Sequence, residues 1–279
     1  MKKIGFIDYY LSEWHANNYP NWMKEKCEEK GWDFKVSYAW AEEYVSPVDG
    51  KNTDEWCEEF GVEKCETIEE LCEKSDYIVI LAPSDPEKHL QYAKEVLKYK
   101  KNTYIDKTFT PNLKEAEEIF ALGDKYGTKF FSTSALRYME GLEDMEDAIS
   151  VITTAGGRSI DEYIVHQIEM AVKLLKSKPL AVKVEKQNSQ YISRVKFEGN
   201  KYATLNYSSN FAYSISSDLG DRTVFKAAGT LHFRRLMEDI LNFFETGETS
   251  FDTKETLSVI KIRDGILKGT KDTDKWIEL

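Results

Sequence analysis

The chain has 279 residues, 41% of them hydrophobic, with 38 lysines and arginines against 49 aspartates and glutamates, for a formal net charge of −11. A surface that acidic repels phosphate backbones and argues against nucleic acid as a partner, and no apolar run approaches the ~20 residues of a membrane span. Cys27, Cys57, Cys65 and Cys72 lie without C-x-x-C spacing and without a histidine close in sequence, so they read as reduced thiols of a cytoplasmic protein and not as a metal site. Two lysines lead straight into a short strand, without the apolar run and cleavage site of a signal peptide.

Ile4–Ile7 is the first expected strand. A helix is expected from about Pro20 to Lys30, with Gly31 as its stop. "DFKVSYAW" (33–40) reads as a second strand, and 53–76 as two short helices with room for a third strand near Val62. "DYIVILAP" (76–83) is near-continuously apolar, as a strand buried in a parallel sheet must be. Asp85 and Pro86 then suit the cap and first position of a helix reaching about Tyr99. A strand at 102–106, a helix at 113–127 and a strand at 128–134 complete the first half. Alternating β and α with short loops predicts a doubly wound, mostly parallel sheet.

After about Ser134 the pattern changes. A helix is expected at 160–176, then β-like stretches at 180–187, 190–199, 201–216 and 222–229, with turn signals at Gly199-Asn200 and at 218–221. Helices near 231–246 and 253–268 close the chain. The boundaries predicted are a first domain of residues 1–133 and a second of residues 134–279, the second an α/β domain with an open, mostly antiparallel sheet.

The turn after the first strand is unusual. A dinucleotide-binding fold places G-x-G-x-x-G there, and this chain has Asp8, Tyr9, Tyr10, Leu11, Ser12 and Glu13. Glycine permits positive φ and close approach to a pyrophosphate, whereas Tyr9 and Tyr10 crowd it unless they turn away. Pro20 disfavours helical geometry at Tyr19, so the helix is expected to start late and to carry its N-terminal dipole away from the phosphate position. The second strand, read as ending at Trp40, shows no acidic residue at its end for a ribose hydroxyl; Glu42 and Glu43 lie just beyond.

The segment from "DYIVILAPSDPEKH" through "YIDKTFTPNLKEAEEIF" resembles the glucose–fructose oxidoreductase, inositol dehydrogenase and MocA family. Pro83, Ser84-Asp85 and His89 match its strand-ending proline, polar turn and helix histidine, and Asp106-Lys107-Thr108 matches its Glu-Lys-Pro. "DEYIVHQIE" (161–169) resembles a further family signature at Glu162, Ile164, His166 and Glu169. The resemblance implies an N-terminal Rossmann domain, a C-terminal α/β domain, NAD or NADP, sugar-like substrates, and a homodimer or homotetramer. It also implies that Lys107 assists proton transfer and that His166 is the general acid/base.

Helical spacing puts Glu162, His166, Glu169 and Lys173 on one stripe and Ile164, Ile168, Ala171 and Leu175 on the opposite face, with Glu162 one turn from His166 and close enough to orient its ring. The alternative is a solvated polar face. Cofactor-binding candidates are Asp8, Tyr9, Tyr10 and His15 at the altered turn, with Pro83, His89 and Asp106 on neighbouring strand ends; His15 and His89 equally suit structural roles. Arg137 and Glu169 are substrate candidates, Arg137 equally an interdomain ion pair. The expected function is an NAD(P)-dependent oxidoreductase acting on a sugar, polyol or related hydroxy compound by hydride transfer. The alternatives are a catalytically silent carbohydrate-binding or regulatory protein on the same scaffold, and a mainly structural role.

Overall fold

The computed structural model describes residues 1–279. The chain forms two compact units: Met1–Thr133 with Arg234–Thr253, and Ser134–Phe233 with Lys254–Leu279. The first unit thus takes back a segment that the sequence reading placed in the second.

In chain order the first unit runs β1 (Lys2–Asp8), α1 (Trp14–Lys30), β2 (Phe34–Ala41), α2 (Thr53–Phe60), β3 (Glu63–Lys64), α3 (Ile68–Lys74), β4 (Tyr77–Ile80), α4 (His89–Val96), β5 (Thr103–Ile105), α5 (Leu113–Tyr126) and β6 (Phe130–Phe131). Its six strands lie in the order β3-β2-β1-β4-β5-β6, and every pairing is parallel. That order reverses direction at β1, so the crevice beyond the carboxyl ends of β1 and β4 is where such sheets hold ligands. Ile78, Val79 and Ile80 are wholly buried, as a strand covered on both faces requires.

Two local expectations are corrected. The helix α1 begins at Trp14 and carries Pro20 inside it. Glu13 supplies side-chain acceptors to the first turn, and complete burial of Ala16 and Tyr19 holds the turn before Pro20 in helical geometry. Asp85 makes no side-chain capping bond to the 3₁₀ turn Pro86–Lys88 that precedes α4.

The second unit runs β7 (Ser150–Ala155), α6 (Ile160–Leu175), β8 (Pro179–Gln187), β9 (Gln190–Phe197), β10 (Lys201–Tyr207), β11 (Ser214–Asp218), β12 (Thr223–Ala227), α7 (His232–Thr246), α8 (Glu255–Gly269) and β13 (Trp276–Glu278). From Arg234 onward α7 belongs to the first unit, where Phe244 stacks on Tyr77 and Phe243 meets Phe131 edge-on. The seven strands take the order β12-β11-β7-β10-β9-β8-β13. All pairings are antiparallel except β7 with β10. Ile164, Ile168, Ala171 and Leu175 of α6 pack with Val182, Val195, Leu205 and, from α8, Ile262 and Ile266. The expected continuous stretch 201–216 is two strands, β10 and β11, and β7, between them in the sheet, was not anticipated. No helix is long and apolar enough to cross a membrane.

Gly5 shows how tightly β1 is covered. A Cβ at this position would lie 2.4 Å from Ser75 Oγ and 2.5 Å from Leu71 Cδ2, and both residues are buried in the α3 layer. Gly5→Ala is therefore expected to destabilise the protein by about 1–3 kcal/mol, read as a lowered thermal midpoint; an unchanged midpoint would show that α3 can yield.

Candidate active site

At the end of β1 the chain turns through residues 9–13 with Ser12 in the left-handed region at φ 61°. Side chains hold this turn where glycines would otherwise shape it. Ser12 Oγ donates to Asp49 Oδ2 at 2.7 Å, and Ser46 Oγ donates to the Ser12 carbonyl at 3.0 Å. Glu13 then caps α1: its carboxylate accepts from the His15 N–H at 2.8 Å and from the Ala16 N–H. Only 7% of Glu13 is exposed. Burial raises its carboxyl pKa, the His15 ring offsetting part of the rise.

Behind this cap lies a buried polar cluster. Asp8, 1% exposed, accepts the Tyr9 N–H at 2.7 Å and the Ala82 N–H at 3.0 Å on Oδ1, while Oδ2 has no hydrogen-bond partner. Burial, reinforced by the Glu13 charge, pushes its carboxyl well above the usual value. Asp106, just past β5, is wholly buried and joined to the His15 ring through Nδ1. It also accepts from Tyr104 at 3.0 Å and Tyr19 at 3.3 Å. Burial works to raise the Asp106 carboxyl, but the His15 ring, with Lys107 adding, holds it below the usual range. Asp8, His15 and Asp106 are thus brought together, whereas Tyr9 turns to the side, with Lys88 Nζ 4.5 Å from its ring centre.

Lys107 follows Asp106 at this edge. It is half-buried and donates to the Pro83 carbonyl at 3.2 Å, and the Lys107–Thr108 peptide is cis. His89 is a bolt between strand ends: its Nδ1 lies 2.8 Å from the Phe109 carbonyl and its Nε2 contacts the Leu81 carbonyl. Complete burial lowers its pKa. With both nitrogens on backbone, His89 packs the fold, the structural role the sequence left open. Because β2 extends to Ala41, Glu42 stands immediately past its end, which corrects the expectation of a strand end without an acid. Glu42 accepts from Lys88 and, at 2.8 Å, from Tyr92; burial opposes ionisation there, but these donors hold the carboxyl below its ordinary value. A separate cleft of about 650 Å³, lined by residues such as Met1, Asn21, Phe34 and Phe60, includes none of the candidate residues.

In the second unit, His166 and Glu169 are buried and not on a solvated face. The ring partner of His166 is Ser134, whose Oγ lies 2.6 Å from Nδ1; the sequence reading had given that position to Glu162. The Glu162 carboxylate is instead gripped by Arg158, through Nε at 2.9 Å and a second nitrogen at 2.7 Å. Tyr213 faces the His166 ring edge-on at 5.7 Å. Nothing in the sequence marked Ser134 beyond its place at the end of the parallel half. The two carboxylates that Arg137 bonds both lie within its own unit. It bonds Glu169 at 3.0 Å and Glu255 at 2.5 Å in a buried triad. Burial disfavours its charge, and the two carboxylates outweigh that and raise its pKa.

Comparison with known proteins fits this geometry. Residues 42–134 match the model of the oxidoreductase family with an NAD-binding Rossmann fold, GFO_IDH_MocA. The match covers about a third of the chain and is a resemblance of that segment to the glucose–fructose oxidoreductase, inositol dehydrogenase and MocA family. An uncharacterized oxidoreductase, YhhX, from Escherichia coli K12 is 33% identical over 60 residues, a match spanning 22% of this chain and 17% of that protein. Among solved structures, the fold resembles GenD2 from gentamicin A biosynthesis in complex with NAD, at 10% identity and TM-score 0.82, covering 100% of this chain and 96% of that one. It equally resembles the Lactobacillus casei myo-inositol dehydrogenase in complex with NAD(H) and myo-inositol, at 8% identity and TM-score 0.82, covering 100% and 97%.

Tested against a dinucleotide, the sheet edge divides. Glu42 past β2 is the residue type that takes a ribose 2′-hydroxyl. The β1–α1 turn does not fit as it stands: the backbone donors that would receive a pyrophosphate are taken by Glu13, with Asp8 and Asp106 behind.

The Asp8 environment sets a pH dependence. Its folded pKa lies above the unfolded value of about 4, so the folded state holds the extra proton and the group's contribution to stability falls as pH rises from there. Asp8→Asn keeps an oxygen for the Tyr9 and Ala82 N–H groups and removes the unpartnered one. It is expected to stabilise the fold by about 1 kcal/mol at pH 8, the gain vanishing near pH 4; denaturant titration at both pH values that shows no gain at pH 8 contradicts this.

Proposed function

We propose that the protein is an oxidoreductase acting on a small hydroxylated substrate of the sugar or polyol class, with a nicotinamide nucleotide as redox partner. The placement of Lys107 carries this reading. It follows β5 within the stretch that matches the family model, at the carboxyl edge where open α/β sheets hold ligands. An alcohol carbon that gives up hydride must also release its hydroxyl proton, which a positioned amine or imidazole accepts. Lys107 is the residue assigned to that proton, and His166, in the second unit, is proposed separately as a general acid/base. Ser134 fixes the His166 ring, and Glu162, held by Arg158, shapes the same helix end. Glu42 repels a 2′-phosphate, which favours NAD(H) over NADP(H).

The test is titration with NADH and NADPH by nicotinamide fluorescence, followed by NAD⁺ reduction with a panel of sugars and polyols. NADH is expected to bind at least ~10-fold tighter than NADPH, and Lys107→Met and His166→Asn each to lower turnover by about 10²-fold or more. Absence of binding by either nucleotide would remove this reading. It would favour the second one, a carbohydrate-binding protein without redox turnover, which the carboxylate on the α1 N-terminus supports.

We extend the proposal to assembly. Ile152 of β7, Tyr202 of β10 and Phe225 of β12 are large exposed apolar side chains on the second unit's sheet, and a homo-oligomer would cover them. Light scattering is expected to give a multiple of the 32.3 kDa chain mass, reduced to one chain by Ile152→Glu with Phe225→Glu. A monomeric wild type refutes the assembly.

A further inference from the structure

We infer that Glu13 is an internal competitor for the pyrophosphate seat of the first unit, so that a nicotinamide nucleotide binds fully only when the Glu13 side chain leaves the start of α1. This rests on the proposal that such a nucleotide is the redox partner. The first N–H groups of any helix lack intrahelical acceptors and carry the positive end of its dipole, which makes them a natural seat for an anion. In the first βα turn of a doubly wound sheet, that anion is the pyrophosphate. Here α1 starts directly after the β1 turn, so the seat is in the usual place. It is filled from within, because Glu13 spans the His15 and Ala16 N–H groups with both carboxylate oxygens.

A second observation is independent of the cap. Asp8 and Asp106 stand buried behind the seat, and Asp8 Oδ2 has no hydrogen-bond partner. No lysine or arginine bonds to Asp8 or Glu13. A diphosphate entering beside Glu13 meets the Glu13 charge at close range, and a diphosphate replacing Glu13 recovers the same backbone donors without the Glu13 repulsion. The turn is built to hold the carboxylate in place. Ser12 adopts positive φ and is anchored to Asp49 and Ser46, so Glu13 enters the seat from a fixed backbone and not from a loose loop. The lost glycines and the buried acid are then one feature: the chain supplies the anion that its fold demands.

The experiment compares the full-length wild type with Glu13→Ser, which keeps a good helix N-cap, and Glu13→Gln, which keeps size but removes charge. NADH and adenosine are titrated into each by fluorescence and calorimetry, with inorganic pyrophosphate as competitor. Glu13→Ser is expected to bind NADH at least ~10-fold tighter than the wild type, with Glu13→Gln intermediate and adenosine affinity unchanged. Pyrophosphate should displace NADH more effectively from the serine variant. Thermal midpoints report that each variant is folded, and if Glu13→Ser is not, Glu13→Gln decides alone. Equal or weaker NADH binding by the folded variants, with a wild type that binds NADH, overturns the competitor role and leaves the proposed function standing. No NADH binding by any of the proteins overturns both.

Discussion

The exposed backbone donors at the start of α1 are the constraint around which the first unit is organised. A parallel sheet aims its strand ends, and the helix starts that follow them, toward one edge, and that edge concentrates unpaired N–H groups and positive dipole. In this chain the demand is met by Glu13, and the consequences spread outward. His15 lies in the turn that Glu13 caps, and its ring reaches Asp106 at the end of β5. Asp106 draws in Tyr19 and Tyr104, and Asp8 ties the β1 turn to Ala82 after β4. One buried set of polar bonds thus joins α1 to the end of β5, and a second, through Asp8, joins the β1 turn to the segment after β4. Each member is costly to bury alone and is held by its neighbours. Asp8 Oδ2 is the place where that satisfaction is incomplete.

The second unit uses charge in the same conservative way. Arg137 and Glu169 are residue types suited to binding an anionic or polar substrate, yet they neutralise each other in a buried triad with Glu255. The arrangement fixes the segment after Ser134 against α6 and α8. A buried pair of this sort is retained because removing one partner strands the other's charge, which makes it a strong structural fastening whatever its net worth. His166 has a neutral hydroxyl, that of Ser134, on its ring, which suits fixing the ring's orientation.

Much of the architecture was legible in the residues. The apolar run at 77–80, the punctuation by Gly31, Gly61 and Gly127, and the period-3.6 stripe on α6 follow from local chemistry that tertiary contacts then reinforced. Each of those glycines takes the left-handed φ that ends a helix. Reading failed where distant contacts outweighed local preference. Pro20 argued for a late helix start, but burial of Tyr19 and the Glu13 cap hold the earlier turn. The stripe of Glu162, His166, Glu169 and Lys173 looked solvated because spacing reports one helix alone, and Arg137 and Ser134 cover it from elsewhere in the chain. The strand β7 was missed because six residues of mixed polarity become a strand through β10 and β11 on either side.

The sequence by itself determined that a parallel αβ half precedes a mostly antiparallel one, that the glycine-rich turn is gone, and that Lys107 lies just past a strand, because these depend on the order and periodicity of nearby residues. Only the tertiary structure decided that Glu13 fills the helix start, that Glu42 stands at the end of β2, that His89 is bolted to backbone carbonyls, and that Arg137 is consumed by carboxylates. Those outcomes rest on which donors and acceptors meet when water is excluded, and the partners lie tens of residues apart, where no spacing rule reaches.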